Sequence, residues 1–183
     1  MPFDAQPVLR GELLALRPLR EEDYEALYAV ARDPLIWEQH PANDRHEPAV
    51  FREFFSHAME SRGALIAMDA ATGGVIGSSR YHAYDEARRD VEIGWSFLAR
   101  SCWGGRYNGE MKRLMLAHAF ASVDTVLFLV GPGNIRSQRA VERLGGVRAG
   151  MRQDPHGRES IVYALTPAAY AAALTPSAPA PDR

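Results

Sequence analysis

One stretch decides the fold that this sequence predicts: Trp103-Gly104-Gly105-Arg106-Tyr107-Asn108-Gly109-Glu110. Before it, large apolar residues at positions 91, 93, 95 and 97 alternate with small or polar ones, which predicts a strand with those four side chains on one face. After it, apolar residues recur at helical spacing from Glu110 to Ala121, which predicts an amphipathic helix. A glycine turn between a strand and a helix leaves backbone N–H groups unpaired at the positive end of the helix dipole, and such a corner binds anions.

A second strand and a second helix follow the first pair. Residues 125–130 form a nearly continuous run of branched and apolar residues, which is typical of a strand buried on both faces. Gly131-Pro132-Gly133 ends this strand, Asn134 is placed to cap a helix from Ile135 to Leu144, and Gly145-Gly146 ends that helix. The sequence contains neither the P-loop pattern nor the dinucleotide-binding glycine pattern, so neither nucleotide fold is supported.

Three motifs occur in this region in a fixed order. They are Glu92-Ile93-Gly94-Trp95, the glycine stretch continued to Leu116, and Asn134 to Gly146. Together they resemble the motifs of the GNAT N-acetyltransferases, most closely the branch of the ribosomal-protein N-terminal acetyltransferases, over residues 9 to 166. The resemblance implies an α/β fold of the α+β type. We therefore expect a mixed, mostly antiparallel, twisted sheet of six to seven strands, flanked by about four helices, with splayed central strands that hold the cofactor.

Composition and charge limit the remaining possibilities. The chain has 183 residues, of which 46% are hydrophobic and 24% charged. These values predict one globular domain. Residues 1–8 are expected to be a loose lead-in, and the tail 175–183 is predicted to be flexible from its Pro, Ala and Ser content, so the domain is placed over residues 9–174. A net charge of −2 argues against nucleic acid as the main partner. The single cysteine suits a reducing, cytoplasmic compartment, and neither a signal peptide nor a membrane-spanning apolar run is visible.

The rest of the chain predicts a scaffold around these motifs. Further strands are predicted at 13–19, 64–69, 75–84, 147–152 and 160–165. Further helices are predicted at 21–31 and 48–59, and a short alanine-rich helix is predicted to start at Thr166-Pro167. Gly73-Gly74 predicts a tight turn between two of these strands, and Asp154-Pro155-His156-Gly157 predicts the turn of a closing hairpin.

The resemblance implies acetyl-CoA as the cofactor. The family's pyrophosphate-binding pattern, Gln/Arg-x-x-Gly-x-Gly/Ala, aligns with Trp103-Gly104-Gly105-Arg106-Tyr107-Asn108 and differs from it at Trp103, Arg106 and Asn108. Backbone N–H groups grip the pyrophosphate in the family, so these side-chain changes are tolerable if the turn survives. Arg106 can also add a charge-assisted contact to a phosphate.

The resemblance also assigns residues to the thioester end of the cofactor. Backbone groups near Phe97 and Leu98 are expected to pair with the pantetheine arm and to polarise the thioester carbonyl. Many family members place a tyrosine acid where this chain has Val141, whereas the ribosomal-protein branch uses Asn-x-x-Ser, which matches Asn134 and Ser137. Ser137 is therefore the candidate acid, and both residues are candidate cofactor contacts. A helix cap and a first-turn polar residue remain the alternative interpretation.

An acceptor amine must lose a proton before it attacks, because an alkylamine with a pKa of about 10 is protonated at neutral pH. Glu92 is the candidate base. It alternates away from the predicted apolar face of its strand, and a carboxylate inside a sheet needs a reason to be there. A salt bridge to a neighbouring arginine is the alternative role for Glu92, and Glu159 and Asp154 are the alternative bases.

The sequence leaves the acceptor amine open. Trp37, Phe51 and Phe55 lie in the region that covers the acceptor site in the family, so they are candidate pocket residues, with core packing as the alternative. A protein N-terminus, a ribosomal protein, an aminoglycoside, a polyamine and an amino-acid-like metabolite all stay open as acceptors, and so does a homodimer. The alternative function is an acetyl-CoA-binding sensor or scaffold without turnover.

Two other chemistries are disfavoured. Cys102 and His118 could form a nucleophile and base, but no orienting acid is spaced with them, and a packed cysteine is the simpler interpretation. The six histidines are scattered without ligand pairs, so no metal site is predicted.

Overall fold

A computed structural model of the chain describes residues 3–154 and 157–175. Its strands are β1 (Leu9–Arg10), β2 (Leu14–Pro18), β3 (Ala64–Asp69), β4 (Val75–Asp85), β5 (Asp90–Leu98), β6 (Thr125–Val130), β7 (Val147–Gln153) and β8 (Glu159–Leu165). Its α-helices are α1 (Tyr24–Ala31), α2 (Pro48–Glu60), α3 (Arg106–Phe120), α4 (Ile135–Arg143) and α5 (Pro167–Leu174). None of these helices has the length and the apolar run that a lipid bilayer requires.

The strands of the described ranges form one sheet in the order β1-β2-β3-β4-β5-β6-β8-β7. All neighbouring strands are antiparallel except β5 and β6. This is the mixed, mostly antiparallel arrangement expected from the resemblance, but with eight strands instead of six to seven and five α-helices instead of about four. The extra strand is β1, whose two residues pair with β2 and are too few to show a periodicity.

The sheet carries a hydrophobic core on each face. Alternate residues of β3 show this most simply. Leu65 and Ala67 belong to the core covered by α3, which we call the α3 core, whereas Ala64 and Ile66 belong to the core covered by α1 and α2, which we call the α1–α2 core. Successive side chains of one strand therefore stabilise opposite faces of the molecule.

The central strands β5 and β6 separate after a short paired stretch. Residues 90–92 of β5 pair with residues 125–127 of β6, and the parallel ladder ends there. From Ile93 onward β5 pairs with β4 only, and from Phe128 onward β6 pairs with β8 only. The splayed pair expected from the resemblance is therefore present, and its V-shaped cleft is lined by backbone edges without strand partners.

The predicted single apolar face of β5 is wrong beyond Gly94. Gly94 pairs with Arg80 and Phe97 pairs with Ser78, so two β5 residues oppose one β4 residue between these pairs. Trp95, in this bulge, has a φ of 52°. Since a bulge adds one residue to one strand, the alternation changes phase there. Residues 91 and 93 consequently lie in the α3 core, whereas Trp95 and Phe97 pack in the α1–α2 core.

One carboxylate fixes α3 to the start of β2. Glu110 accepts hydrogen bonds from the backbone N–H groups of Glu12, Leu13 and Leu14, at 3.0, 2.7 and 2.9 Å. Burial would raise the pKa of Glu110, but these three donors together outweigh burial and lower it. Glu110 lies in the second turn of α3, so the contact fixes the position of the helix start beside the cleft.

Candidate active site

The turn before α3 presents unpaired backbone N–H groups. Gly104 and Gly105 each have a φ of 103°, a left-handed conformation that glycine adopts without strain, and the helix begins at the exposed Arg106. The first helical hydrogen bond joins the Gly109 N–H to the Gly105 carbonyl at 2.7 Å. No protein acceptor within the described ranges binds the N–H groups of residues 104–108. Five donors at the positive end of a helix fit a phosphate group.

Two aromatic side chains of this turn bind residues from other parts of the fold. Trp103 donates its indole N–H to the Leu98 carbonyl at 3.0 Å, and the Arg136 guanidinium lies 4.2 Å from the centroid of the Trp103 ring. Tyr107 donates its hydroxyl proton to Asp69, over 2.7 Å. These two predicted cofactor residues therefore brace the turn through their side chains, which leaves their backbone groups for a ligand.

The Asn-x-x-Ser pair lies at the start of α4, directly after the splayed part of β6. The side-chain oxygen of the buried Asn134 accepts a hydrogen bond from the Ser137 N–H at 3.2 Å, so Asn134 caps the helix. The amide nitrogen of Asn134 and the hydroxyl of the half-buried Ser137 have no hydrogen-bond partner in the described part of the chain. The capping role and the predicted cofactor role are compatible, because they use different atoms.

Glu92 lies at the last paired position of β5, where the sheet splits. Its side chain is on the face opposite the α3 core and is 6% exposed. Burial raises its pKa to about 7, although the charges of Arg152 and Arg80 act in the opposite direction. Its carboxylate forms no ion pair with either arginine among the residues described here. The salt bridge considered as its alternative role is therefore not formed.

The alternative bases lie where the β7–β8 hairpin turns, at the end of β7 and the start of β8. Glu159 is exposed at the first residue of β8. Asp154 directly follows β7, and its side chain accepts a hydrogen bond from the Arg158 N–H at 2.9 Å. Residues 155 and 156 of the predicted turn lie outside the described residues. Glu92 is thus the candidate base placed at the cleft.

The three predicted pocket residues lie in the α1–α2 core. Phe51 is 0% exposed, Trp37 3% and Phe55 7%, and the Trp37 indole N–H donates to the Ala31 carbonyl at 2.7 Å. Phe55 also borders a shallow hollow between α1 and α2. Their packing is that of core residues, and their role in acceptor binding stays a prediction.

Two arginines that carry no sequence signal lie on the face of Glu92. The guanidinium of Arg80, on β4, lies 4.6 Å from the ring centroid of Trp95. The guanidinium of Arg45, in the segment before α2, lies 4.7 Å from the ring centroid of Phe54. Burial lowers the pKa of each arginine to about 10. The sequence could not reveal this pair because the two residues converge only in the folded protein.

A buried lysine lies between the splayed strands. Lys112 of α3 is 7% exposed, its ammonium group donates to the Ser96 hydroxyl at 2.6 Å, and it lies 5.3 Å from the ring centroid of Phe128. Ser96 belongs to β5 and Phe128 to β6, so Lys112 reaches both walls of the cleft. Burial lowers its pKa to about 7. In the sequence, Lys112 stands out because it interrupts the apolar spacing of the predicted helix.

The structure does not pair Cys102 with His118. Cys102 is buried in the α3 core, whereas His118 Nε2 lies 2.6 Å from the carbonyl oxygen of Asp4. The His118 ring also contacts Phe3, which packs against Tyr81 and belongs to the terminus predicted as flexible. Within the described ranges, no group of three or more His, Cys, Asp or Glu side chains is arranged to hold a metal ion.

The chain belongs to the GNAT acetyltransferase family, because residues 14–147, more than half of its length, match the sequence model of the acetyltransferase (GNAT) domain. As a member of this family it is an acyltransferase. A search of curated proteins gave no significant match.

Solved structures share the fold over most of the chain. A protein of T. thermophilus assigned as an acetyltransferase is 26% identical, with a TM-score of 0.70, over 94% of this chain and 96% of that chain. RimJ of Mycobacterium smegmatis, in complex with CoA-disulfide, is 21% identical, with a TM-score of 0.64, over 88% and 87%. A protein of Vibrio cholerae assigned as a ribosomal-protein-serine acetyltransferase is 14% identical, with a TM-score of 0.69, over 90% and 100%.

Proposed function

We propose that the chain moves an acetyl group from acetyl-CoA to a primary amine, either a protein N-terminus or a small-molecule amine, by direct attack in a ternary complex. The observation that carries the proposal is Glu92. It is an enclosed carboxylate with a pKa of about 7 at the point where β5 and β6 diverge. A base with a pKa near the operating pH is suited to take a proton from an ammonium group.

The residues present fit coenzyme A through backbone groups more than through side chains. The N–H groups of residues 104–108 fit the pyrophosphate, and Arg106 adds a positive charge beside it. The edge of β5 near Phe97 and Leu98 has no strand partner on the side of the cleft, and the Leu98 carbonyl accepts a hydrogen bond from Trp103. The other backbone groups of this edge fit the amide groups of the pantetheine arm. The free amide nitrogen of Asn134 is a further donor for that arm. When bound, acetyl-CoA supplies the thioester that carries the acetyl group.

The protein groups then divide the proton transfers. Glu92 takes a proton from the acceptor's ammonium group, directly or through a water molecule, and so frees the nitrogen lone pair. Backbone N–H groups on the unpaired edge of β5 stabilise the negative charge that develops on the carbonyl oxygen. The Ser137 hydroxyl holds the proton for the leaving sulfur atom.

The proposal is tested by calorimetric titration with acetyl-CoA, followed by a thiol-release assay against N-terminal peptides and small amines. We expect micromolar binding, with thiol release for one acceptor class. Glu92→Gln and Ser137→Ala should each keep cofactor binding and lose turnover. Binding without release from any amine would favour a sensor, and absence of binding would overturn the proposal.

Arg106 tests the cofactor corner separately. Arg106→Glu should weaken acetyl-CoA binding by about tenfold or more, because it places a negative charge beside the phosphates at a helix N-terminus. Arg52→Glu is the matched control, since Arg52 is an exposed arginine on α2. Calorimetry should show a larger dissociation constant for the first variant only. Equal affinity for the two variants would contradict the proposed corner.

A further inference from the structure

Arg80 is a buried cation without an ion-pair partner in the described part of the chain. Its side chain is 5% exposed, and its Nε atom is enclosed without a hydrogen-bond partner. No carboxylate forms an ion pair with it. The guanidinium is held by the rings of Trp95 and Phe54, at 4.6 and 5.8 Å to their centroids. An unpaired charge in such a place is unfavourable unless an anion joins it.

Arg45 reaches the same aromatic ring from the segment before α2. Its guanidinium lies 4.7 Å from the centroid of Phe54 and 5.4 Å from that of Trp37, and one of its terminal nitrogens lies 3.3 Å from His40 Nε2. Burial and then the charge of Arg80 lower the pKa of Arg45. Burial and Arg45 lower the pKa of His40 to about 3, so the imidazole is neutral.

The face around these arginines is short of negative charge. Glu92 is the carboxylate whose charge acts on Arg80, and burial raises the pKa of Glu92 to about 7, so its own charge is incomplete at neutral pH. Arg152 adds positive charge near Glu92, and Arg158 adds positive charge near Arg45. The charge of the exposed Asp44 acts on Arg45, but neither arginine forms an ion pair in the described part of the chain. The buried Arg80 and the half-buried Arg45 therefore make a site that an external anion would complete.

We infer that Arg80, together with Arg45, binds a carboxylate carried by the acceptor amine. The inference rests on the proposed function, because it places the carboxylate beside the proposed base. Arg80 pairs in register with Gly94, two residues after Glu92 and next to the bulge at Trp95. A carboxylate held there keeps an amino group a few bonds away within reach of the cleft. The two terminal nitrogens of a guanidinium match the two oxygen atoms of a carboxylate.

The acceptor class is therefore an amine with a nearby carboxylate, which is either a small amino acid or a peptide with an acidic residue beside its N-terminus. Two matched pairs of acceptors separate these sources. One pair is a tetrapeptide amide with Asp or Asn at its second position, and the other is β-alanine and β-alaninamide. We expect kcat/KM to favour the carboxylate member by about tenfold or more in one pair.

Arg80→Met should abolish this preference by raising KM for the carboxylate member, with the acetyl-CoA dissociation constant unchanged. Arg52→Met is the matched control, because Arg52 also lies over an aromatic ring, at 5.2 Å from the Tyr24 centroid, but on the exposed side of α2. It should keep the preference. If Arg80→Met fails to fold, Arg45→Met makes the same test from a half-buried position.

Calorimetric titration with the two N-acetylated tetrapeptides, with and without CoA, gives a readout that needs no turnover. Tighter binding of the Asp peptide, lost in Arg80→Met, is the expected result. Equal binding of the two peptides, with equal kcat/KM within both acceptor pairs, would overturn the inference, and so would a preference that survives Arg80→Met. A protein that binds no acetyl-CoA but prefers the Asp peptide would disprove the proposed function and leave the anion site standing.

Discussion

Glu92 sets the pH dependence expected of the reaction. Burial raises its pKa to about 7, so the fraction in the basic form, and with it kcat, should rise with pH through about 7 and then level off. Glu92→Gln should lower kcat by about 10²- to 10⁴-fold and remove that limb of the profile. Glu159→Gln, at an exposed position, should keep the wild-type profile. A rise of kcat near pH 7 that persists in Glu92→Gln would mean that another group is the base.

Lys112 determines a second pH dependence, that of stability. Burial lowers its pKa from 10.5 to about 7, so between these values the unfolded protein binds more protons and stability rises with pH. Below pH 7 the folded protein must hold a buried charge. Lys112→Met should therefore raise the free energy of unfolding at pH 6 and lose this advantage near pH 10.

Thermal unfolding at the two pH values measures the effect of Lys112→Met. Arg113→Met, an exposed neighbour on the same helix, is the control and should show no such change with pH. The same stability difference at both pH values would mean that Lys112 is charged in the folded protein throughout.

Some residues of the candidate site could be predicted from the sequence, and others could not. Glu92 could be chosen from the sequence because a carboxylate within an apolar strand is anomalous wherever the strand lies. Arg80 and Arg45 could not, because their convergence depends on the β4–β5 register and on the path of an irregular segment. The cap function of Asn134 could be predicted, since it depends on the next three residues alone.

Among the elements, α3 depends on a contact that its own sequence does not display. Glu110→Ala would leave the N–H groups of residues 12–14 without their acceptor, and each is a hydrogen bond to a charged group. We expect a loss of about 2 to 4 kcal/mol in the free energy of unfolding. Denaturant unfolding measures it, with Glu12→Ala at an exposed position as the control. A loss no larger than the control's would mean that the carboxylate does not fix the helix.

Most elements could be predicted because each carries a local signal. Helical spacing located α1 to α3, the Asn134 cap and the terminal glycines located α4, period two located β5, and a continuous apolar run located β6. The bulge at Trp95 could not be predicted, since an inserted residue changes the phase of a pattern without leaving the strand. Strand β1 was missed because two residues hold no period. The splay followed from the resemblance and not from any property of β5 or β6 alone.

The two cores should unfold together because they share every central strand. Leu65 and Ile66 are adjacent on β3, each is 0% exposed, and they lie in opposite cores. Leu65→Ala and Ile66→Ala should each lower the free energy of unfolding by about 2 to 5 kcal/mol. Both should shift a single transition that circular dichroism and tryptophan fluorescence report at the same midpoint. A variant whose two signals separate would show that one core unfolds alone.

The stack of Arg136 on Trp103 joins the segment after β5 to the helix after β6, across the mouth of the cleft. The Arg136 guanidinium also donates to the Ile36 carbonyl at 2.9 Å. A cation–π contact at a partly exposed site and one hydrogen bond together amount to about 2 kcal/mol. Both contacts of the Arg136 side chain should therefore be broken roughly a few per cent of the time. Side-chain motions of this kind take nanoseconds to microseconds, far less than a typical turnover. The contact between Arg136 and Trp103 is therefore too weak, and opens too quickly, to limit the rate at which ligands enter and leave the cleft.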